Sequence, residues 1–264
     1  MEVIDLGKAL CVITGASRGF GYCLALHLST LLKSGSILVL IARSEGKLRE
    51  LQAEIRSSGV TEETLKIKNV AADLGKKEGV QEVVRVLTET ETSSFNHMLL
   101  INNAASLGDI SKFVVNLTDL EEVDQYFSFN FSSALCLTAS LLKHFGKRSG
   151  LKRTVVNISS LCALKPFKSW SLYCSSKAAR NMLFQVLAEE DPDIRVLNYA
   201  PGPLDTEMQV AARSQSGDPE LRETYARLHE SGQLISCSQS TSKLVHLLLK
   251  DQFKSGCHID FYDV

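Results

Sequence analysis

Short apolar runs alternate with longer amphipathic stretches along nearly the whole chain, and this alternation leaves few folds open. Residues 9–13, 36–41, 65–70, 97–101, 154–158 and 194–199 are too short for stable helices and rich in aliphatic side chains, so each reads as a strand. The second of them, SILVLI, is apolar on both faces, as a central parallel strand covered from both sides must be. Residues 22–32, 45–57, 76–90, 119–145 and 171–189 carry apolar side chains at helical spacing, such as Leu48, Leu51 and Ile55. Beyond the sixth strand, 207–232 is polar and helical, 241–250 is a further helix, and 259–262 is a last short strand.

Such β–α alternation, with right-handed crossovers, predicts an α/β fold. We expect a single Rossmann-like doubly wound domain over residues 1–264, with a seven-stranded, mostly parallel sheet and helices on both faces. SQSGDP at 214–219 reads as a mobile surface loop within the polar arm. Composition excludes several functions. A net charge of −1 gives no electrostatic attraction to nucleic acid or anionic membrane. No apolar run approaches the roughly 20 residues that cross a bilayer, and the first fifteen residues lack the pattern of a secretion signal. The seven cysteines are odd in number and scattered, and the six histidines show no ligand spacing. No metal site or disulfide framework is therefore expected, and the setting is expected to be cytoplasmic.

Gly15, Gly19 and Gly21 lie between the first strand and the first helix. Small residues there let backbone N–H groups and a helix N-terminus come close to a pyrophosphate, although a tight turn without a ligand would use the same glycines. Nucleotide choice is read at the end of the second strand, where a carboxylate would repel a 2′-phosphate. This chain instead has Arg43 there, Arg18 in the glycine turn, and no acid competing in either motif. Two guanidinium groups at one corner suit a 2′-phosphate and favour NADP(H).

A second constellation spans 154–181. Tyr173 and Lys177 are four residues apart on a helical stretch and share a face, and Ser160 follows the fifth strand. A phenol beside an ammonium, with a hydroxyl opposite, can protonate and stabilise an oxyanion. Tyr-x-x-x-Lys is nevertheless common on ordinary amphipathic helices.

TGASRGFG at 14–21, NNAA at 102–105, Asn130, NISS ending at Ser160, YCSSK at 173–177 and PGPLDT at 201–206 occur in one order and spacing. Together they resemble the short-chain dehydrogenase/reductase family across the whole chain. The resemblance implies that Tyr173 is a general acid, Lys177 lowers its pKa and holds the nicotinamide ribose, and Ser160 binds the substrate oxygen. Asn130 would hold a water that links Lys177 to solvent. Besides Tyr173 and Lys177, the implied cofactor contacts are Gly15, Ala16, Ser17, Arg18, Gly19, Phe20 and Gly21, then Ala42 and Arg43, then Ala72, Asp73, Leu74 and Asn102. Leu204, Asp205, Thr206, Glu207 and Met208 would cover the nicotinamide. A homodimer through helices 119–145 and 171–189 is also implied. One departure is Ala105, where the family usually has glycine; a methyl there is strained if φ is positive.

SLCALKPFKSW, YAPGPLDTEM and FKSGCHIDFYD narrow the likeness to the branch that reduces pterin side-chain carbonyls. That likeness implies that Asp260 grips the amino-pyrimidine of the substrate, with Ser160, Leu161, Tyr173 and Gly202 lining its pocket. Segments 201–232 and 256–264 would complete that pocket. A broad dicarbonyl reductase and a catalytically silent NADP(H)-binding sensor remain as alternatives.

Overall fold

The computed structural model describes residues 5–264. In chain order it contains β1 (Ala9–Thr14), α1 (Gly19–Ser29), β2 (Ser36–Ala42), α2 (Glu45–Ser57), β3 (Leu65–Ala71), α3 (Lys77–Thr88) and β4 (His97–Asn102). Then follow α4 (Leu120–Phe127), α5 (Ser133–His144), β5 (Lys152–Ile158), α6 (Ser171–Glu190) and β6 (Ile194–Ala200). The chain continues through α7 (Glu207–Gln215), α8 (Pro219–Glu230), α9 (Cys237–Lys250) and β7 (His258–Asp260).

The strands form one sheet in the order β3-β2-β1-β4-β5-β6-β7. Every pairing in it is parallel, including that of β7, so no antiparallel edge remains from the mostly parallel expectation. Alternate residues of each central strand supply opposite layers. Cys11 and Ile13 pack with Leu24, Leu28, Leu48 and Leu244 of α1, α2 and α9. Leu10 and Val12 pack with Val83, Leu137 and Leu141 of α3 and α5. Each fully buried leucine or isoleucine contributes about 1.5–3 kcal/mol, so both faces must be covered for the sheet to persist.

The winding order reverses between β1 and β4, and there the helices leave a crevice at the carboxyl ends of the strands. Register brings Asn102 of β4 beside Asn157 of β5, and Asn157 beside Asn198 of β6. Three amides therefore cross the sheet just beneath the crevice.

The structure corrects four expectations. Helix α1 begins at Gly19, ahead of the predicted residue 22, because the glycine turn itself enters the helix. The long 119–145 helix is interrupted by one π-helical turn, Ser128–Ser132, with Asn130 at its centre; apolar spacing does not register one extra residue per turn. The last strand ends at Asp260 and passes into a short 3₁₀ turn over Phe261–Asp263. Residues 207–232 form two helices, and the segment read as a mobile loop is their tightly held junction. Ser216 is fully buried, and the Trp170 indole N–H donates to its hydroxyl at 2.8 Å. Gly217 N–H donates to the Ile110 carbonyl at 2.7 Å and to the Ser169 hydroxyl at 3.1 Å. The polarity of that junction serves internal partners instead of water.

Candidate active site

Two cavities meet at the carboxyl ends of the strands. One, of about 390 Å³, runs over β1, β2 and β4; Arg43, Leu74, Asn103 and Lys177 are among its walls. The other, of about 660 Å³, lies between the ends of β5 to β7 and the α7–α8 arm. Tyr173 lines both, whereas Lys177 faces only the first and Ser160 only the second.

The glycine turn forms the floor of the first cavity. Gly15 and Gly19 have φ of 69° and 56°, which a side chain adopts only under strain. Arg18, at the N-cap of α1, makes no side-chain cap, so the first-turn N–H groups stay available to an anion. Gly21 serves packing: a Cβ there would press into the Gly15 carbonyl oxygen and the Asn103 side-chain amide. Gly21→Ala is accordingly expected to lower unfolding free energy by about 1–3 kcal/mol, as overpacking does. Urea unfolding followed by circular dichroism measures this, and an unchanged midpoint would show slack in the turn.

Ser17, Arg18, Phe20, Ala42, Arg43, Ala72 and Leu74 all line the cavity, with Leu204, Asp205, Thr206, Glu207 and Met208 opposite. Arg18 forms an ion pair with Glu207 at the start of α7. An acid thus does compete for one of the two guanidinium groups, brought there by a fold contact spanning most of the chain. Arg43 is exposed at the rim. Besides Gly21, three expected contacts do not line the cavity. Ala16 is fully buried in the core layer beneath the turn. The Asp73 carboxylate accepts from the N–H of Gly75 at 3.0 Å. The Asn102 side chain is buried and donates to Thr138 at 2.9 Å, and Asn103, Ala104 and Ala105 line the cavity in its place. Ala105 is not among the positive-φ residues, so its methyl costs nothing.

Helix α6 carries the candidate residues Tyr173 and Lys177. Lys177 is buried, and its ammonium donates to the Ile158 carbonyl at 2.6 Å and lies 5.5 Å from the Tyr173 ring centre. Burial, and then the charge of Arg180, hold the Lys177 pKa well below its ordinary value. Burial pushes the Tyr173 phenol up, against an opposing pull from the Ser160 hydroxyl. Desolvation is the largest contribution to that rise. The Ser160 hydroxyl accepts from Cys162 N–H at 3.2 Å, which fixes it at the mouth of the second cavity. The Asn130 side chain points into neither cavity: its oxygen accepts from Ser106 N–H at 2.7 Å, and its amide donates to Tyr126 O at 3.0 Å.

The second cavity has an aromatic wall that sequence spacing did not reveal. Trp170 is stacked between Phe167 and Tyr225, with ring centres 5.8 and 5.3 Å away, and meets Tyr173 edge-on at 5.8 Å. Leu161 and Gly202 line the same space, and Asp260 stands across it at the end of β7. A planar, polar-edged molecule fits between such an apolar wall and such a carboxylate. Phe167 and Trp170 lie in one quoted motif, but Tyr225 is on α8 and nothing local to it signals a pocket.

The chain matches the short chain dehydrogenase family model over residues 9–217 and belongs to that family. It is 53% identical to the sepiapterin reductase of Meriones unguiculatus, with 100% of each chain covered. It is also 30% identical to the (S)-benzoin-forming benzil reductase of Bacillus subtilis, over 91% of this chain and 93% of that one. Among solved structures, the KRED1-Pglu enzyme superposes with a TM-score of 0.79 at 28% identity, covering 96% of this chain and 100% of that one.

Proposed function

We propose that the chain is an NADPH-dependent reductase of pterin side-chain carbonyls, converting sepiapterin to dihydrobiopterin and acting likewise on 6-pyruvoyl-tetrahydropterin. The observation that carries this reading is the position of Tyr173, which lines both cavities, with Lys177 on one side and Ser160 on the other. Full-length identity to sepiapterin reductases supports the pterin class. The glycine floor and the uncapped start of α1 fit a dinucleotide pyrophosphate, and Arg43 with Arg18 fits a 2′-phosphate. NADPH, when bound, supplies the hydride.

The protein's own groups manage the oxygen. Ser160 donates to the substrate carbonyl and stabilises the charge that develops there. Burial keeps Tyr173 protonated, the form in which it gives its proton to that oxygen. Lys177 stabilises the resulting tyrosinate and would bind the nicotinamide ribose, and Asn130, its side chain engaged by Ser106 and Tyr126, would hold a water beyond Lys177 through its backbone carbonyl alone. The Asp260 carboxylate accepts from the N–H and NH₂ of the amino-pyrimidine and so determines which end of the substrate meets Tyr173.

One domain over 1–264 provides the whole site, with 201–232 and 256–264 completing the pocket. Exposed Leu135 on α5, and Met182 and Val186 on α6, support a homodimer through helices 119–145 and 171–189. Among the described residues no helix is long and apolar enough to cross a membrane. The free cysteines support a cytoplasmic setting.

Turnover of sepiapterin with NADPH tests the reading, and its absence would refute it. Arg43→Asp is expected to move the kcat/KM preference from NADPH towards NADH by at least about tenfold, since a bidentate contact to phosphate becomes a repulsion. An unchanged ratio would remove the 2′-phosphate role. The benzil reductase relative and the apolar wall favour a second reading, a broader dicarbonyl reductase. Benzil turned over faster than sepiapterin would select it. A silent NADP(H) sensor would bind cofactor and reduce neither, although Ser160, Tyr173 and Lys177 are all retained.

A further inference from the structure

Among the described residues, Arg180 is the largest side chain with less than 2% exposure, at 1%. Its Nε donates to Asn157 Oδ1 at 2.8 Å, and Nη1 donates to the carbonyls of Ala104 at 3.0 Å and Asn130 at 3.4 Å. Nη2 donates to the carbonyl of Asn102. Among the described residues its ionisable neighbours are Tyr173, Tyr126 and Lys177, and no carboxylate is among its hydrogen-bond partners. A buried guanidinium normally requires an acid to offset desolvation. Here neutral oxygens satisfy its donors and leave its charge uncancelled, seven residues from Tyr173 and three from Lys177 on one helix.

We propose that Arg180 is a positioning residue of this reductase site, whose fixed positive charge favours the tyrosinate left when Tyr173 gives up its proton. Its hydrogen bonds also hold the cofactor-lining turn after β4 and the π turn at Asn130 in place against α6. This inference rests on the carbonyl-reductase reading above.

Two other groups near Tyr173 carry or approach a charge in this pH range: the Lys177 ammonium on the same helix, and the Cys174 thiol, brought down to about 7 by its hydrogen bond with Cys162. Ser160, Cys162, Tyr126, Tyr225 and Lys177 face Tyr173; Cys162 and Arg180 face Lys177; Tyr173, Tyr126 and Lys177 face Arg180. Its hydrogen bond with the Cys174 thiol, and then burial, push the Cys162 thiol up, so it stays neutral at ordinary pH. Two helical turns separate Arg180 from Tyr173, about 10 Å along the axis. A unit charge at that range shifts a buried group by about one pH unit. Cancelling the cation raises the pKa of the phenol, which loses support as an anion. It also raises the pKa of Lys177, which loses a repulsive neighbour. Both changes have one sign, so the coupled pair moves upward as a whole.

The test is the pH dependence of kcat for NADPH-dependent reduction of sepiapterin. Asn157→Asp keeps an acceptor for the Arg180 Nε and sets a carboxylate against the guanidinium. The high-pH limb, where the acid loses its proton, is expected to move up by about one pH unit. Arg180→Gln is expected to do the same, whereas Arg180→Lys keeps the charge, loses stability and leaves the limb in place. An unmoved limb in Asn157→Asp overturns the proposal even if Arg180→Gln does not fold. Equal shifts in Arg180→Lys and Arg180→Gln also overturn it, because packing alone would then explain the effect. A wild-type protein that reduces neither sepiapterin nor benzil refutes the reductase reading, a result distinct from an active wild type whose limb does not respond.

Discussion

Tyr173→Phe is expected to lower kcat for sepiapterin reduction by about 10²- to 10⁴-fold, the usual contribution of a positioned general acid. The substitution removes one oxygen and little else. The phenylalanine ring still meets Trp170 edge-on and still fills the small cluster with Leu107, Ile110 and Ala212. Stability and NADPH affinity should therefore change little, and the loss should fall on kcat instead of KM. Single-turnover rates with saturating NADPH isolate the chemical step. A variant that kept more than about a tenth of the rate would contribute less than a general acid must, and would exclude Tyr173 from the role.

Asp260→Ala is expected to raise the KM for sepiapterin by about 10- to 150-fold, the equivalent of one or two hydrogen bonds to a charged acceptor. The KM for benzil, which has no N–H and NH₂ pair, should stay within about twofold, because the change removes no contact that benzil can make. Asp260 has a second duty that the comparison must allow for. Its carboxylate accepts from Tyr262 N–H at 3.1 Å, and its own N–H donates to Asp263 Oδ2 at 2.8 Å, so it also shapes the tail. Asp260→Asn retains an acceptor for that turn while losing the charge. Its KM for sepiapterin should lie between those of the wild type and the alanine variant. If all three proteins share one KM for sepiapterin, the pterin is not anchored there.

Much of this site was legible because its parts are local. The strand–glycine–helix turn, the Tyr-x-x-x-Lys pair and the serine after β5 each depend on spacing within one element or across one turn. Backbone periodicity dictates where such residues point. The alternation of apolar runs likewise required a doubly wound sheet, since only helices on both faces cover strands that are apolar on both faces.

Other features were illegible for a common reason: each joins segments far apart in sequence. Glu207 reaches Arg18 across the cleft, Tyr225 stacks on Trp170, and the polar junction at Ser216 is buried by partners that composition cannot supply. Asn102 and Asn103 illustrate the limit at single-residue scale. Adjacent and identical, they take different partners: Asn102 donates to Thr138 in the α5 layer, and Asn103 to the Thr14 and Gly15 carbonyls of the glycine turn at the cleft wall.

The amino-acid sequence by itself determined the fold class, the glycine turn and the candidate site residues Ser160, Tyr173 and Lys177, because short-range geometry governs all of them. Only the tertiary structure decided the protonation balance of those groups. For Tyr173 and Lys177 that balance follows first from burial, and for Lys177 also from Arg180 on α6, whose donors are satisfied by the Asn157 side chain and by backbone carbonyls from β4, the turn after it and the π turn, not by an acid. Desolvation and low local dielectric exist only once the layers have closed.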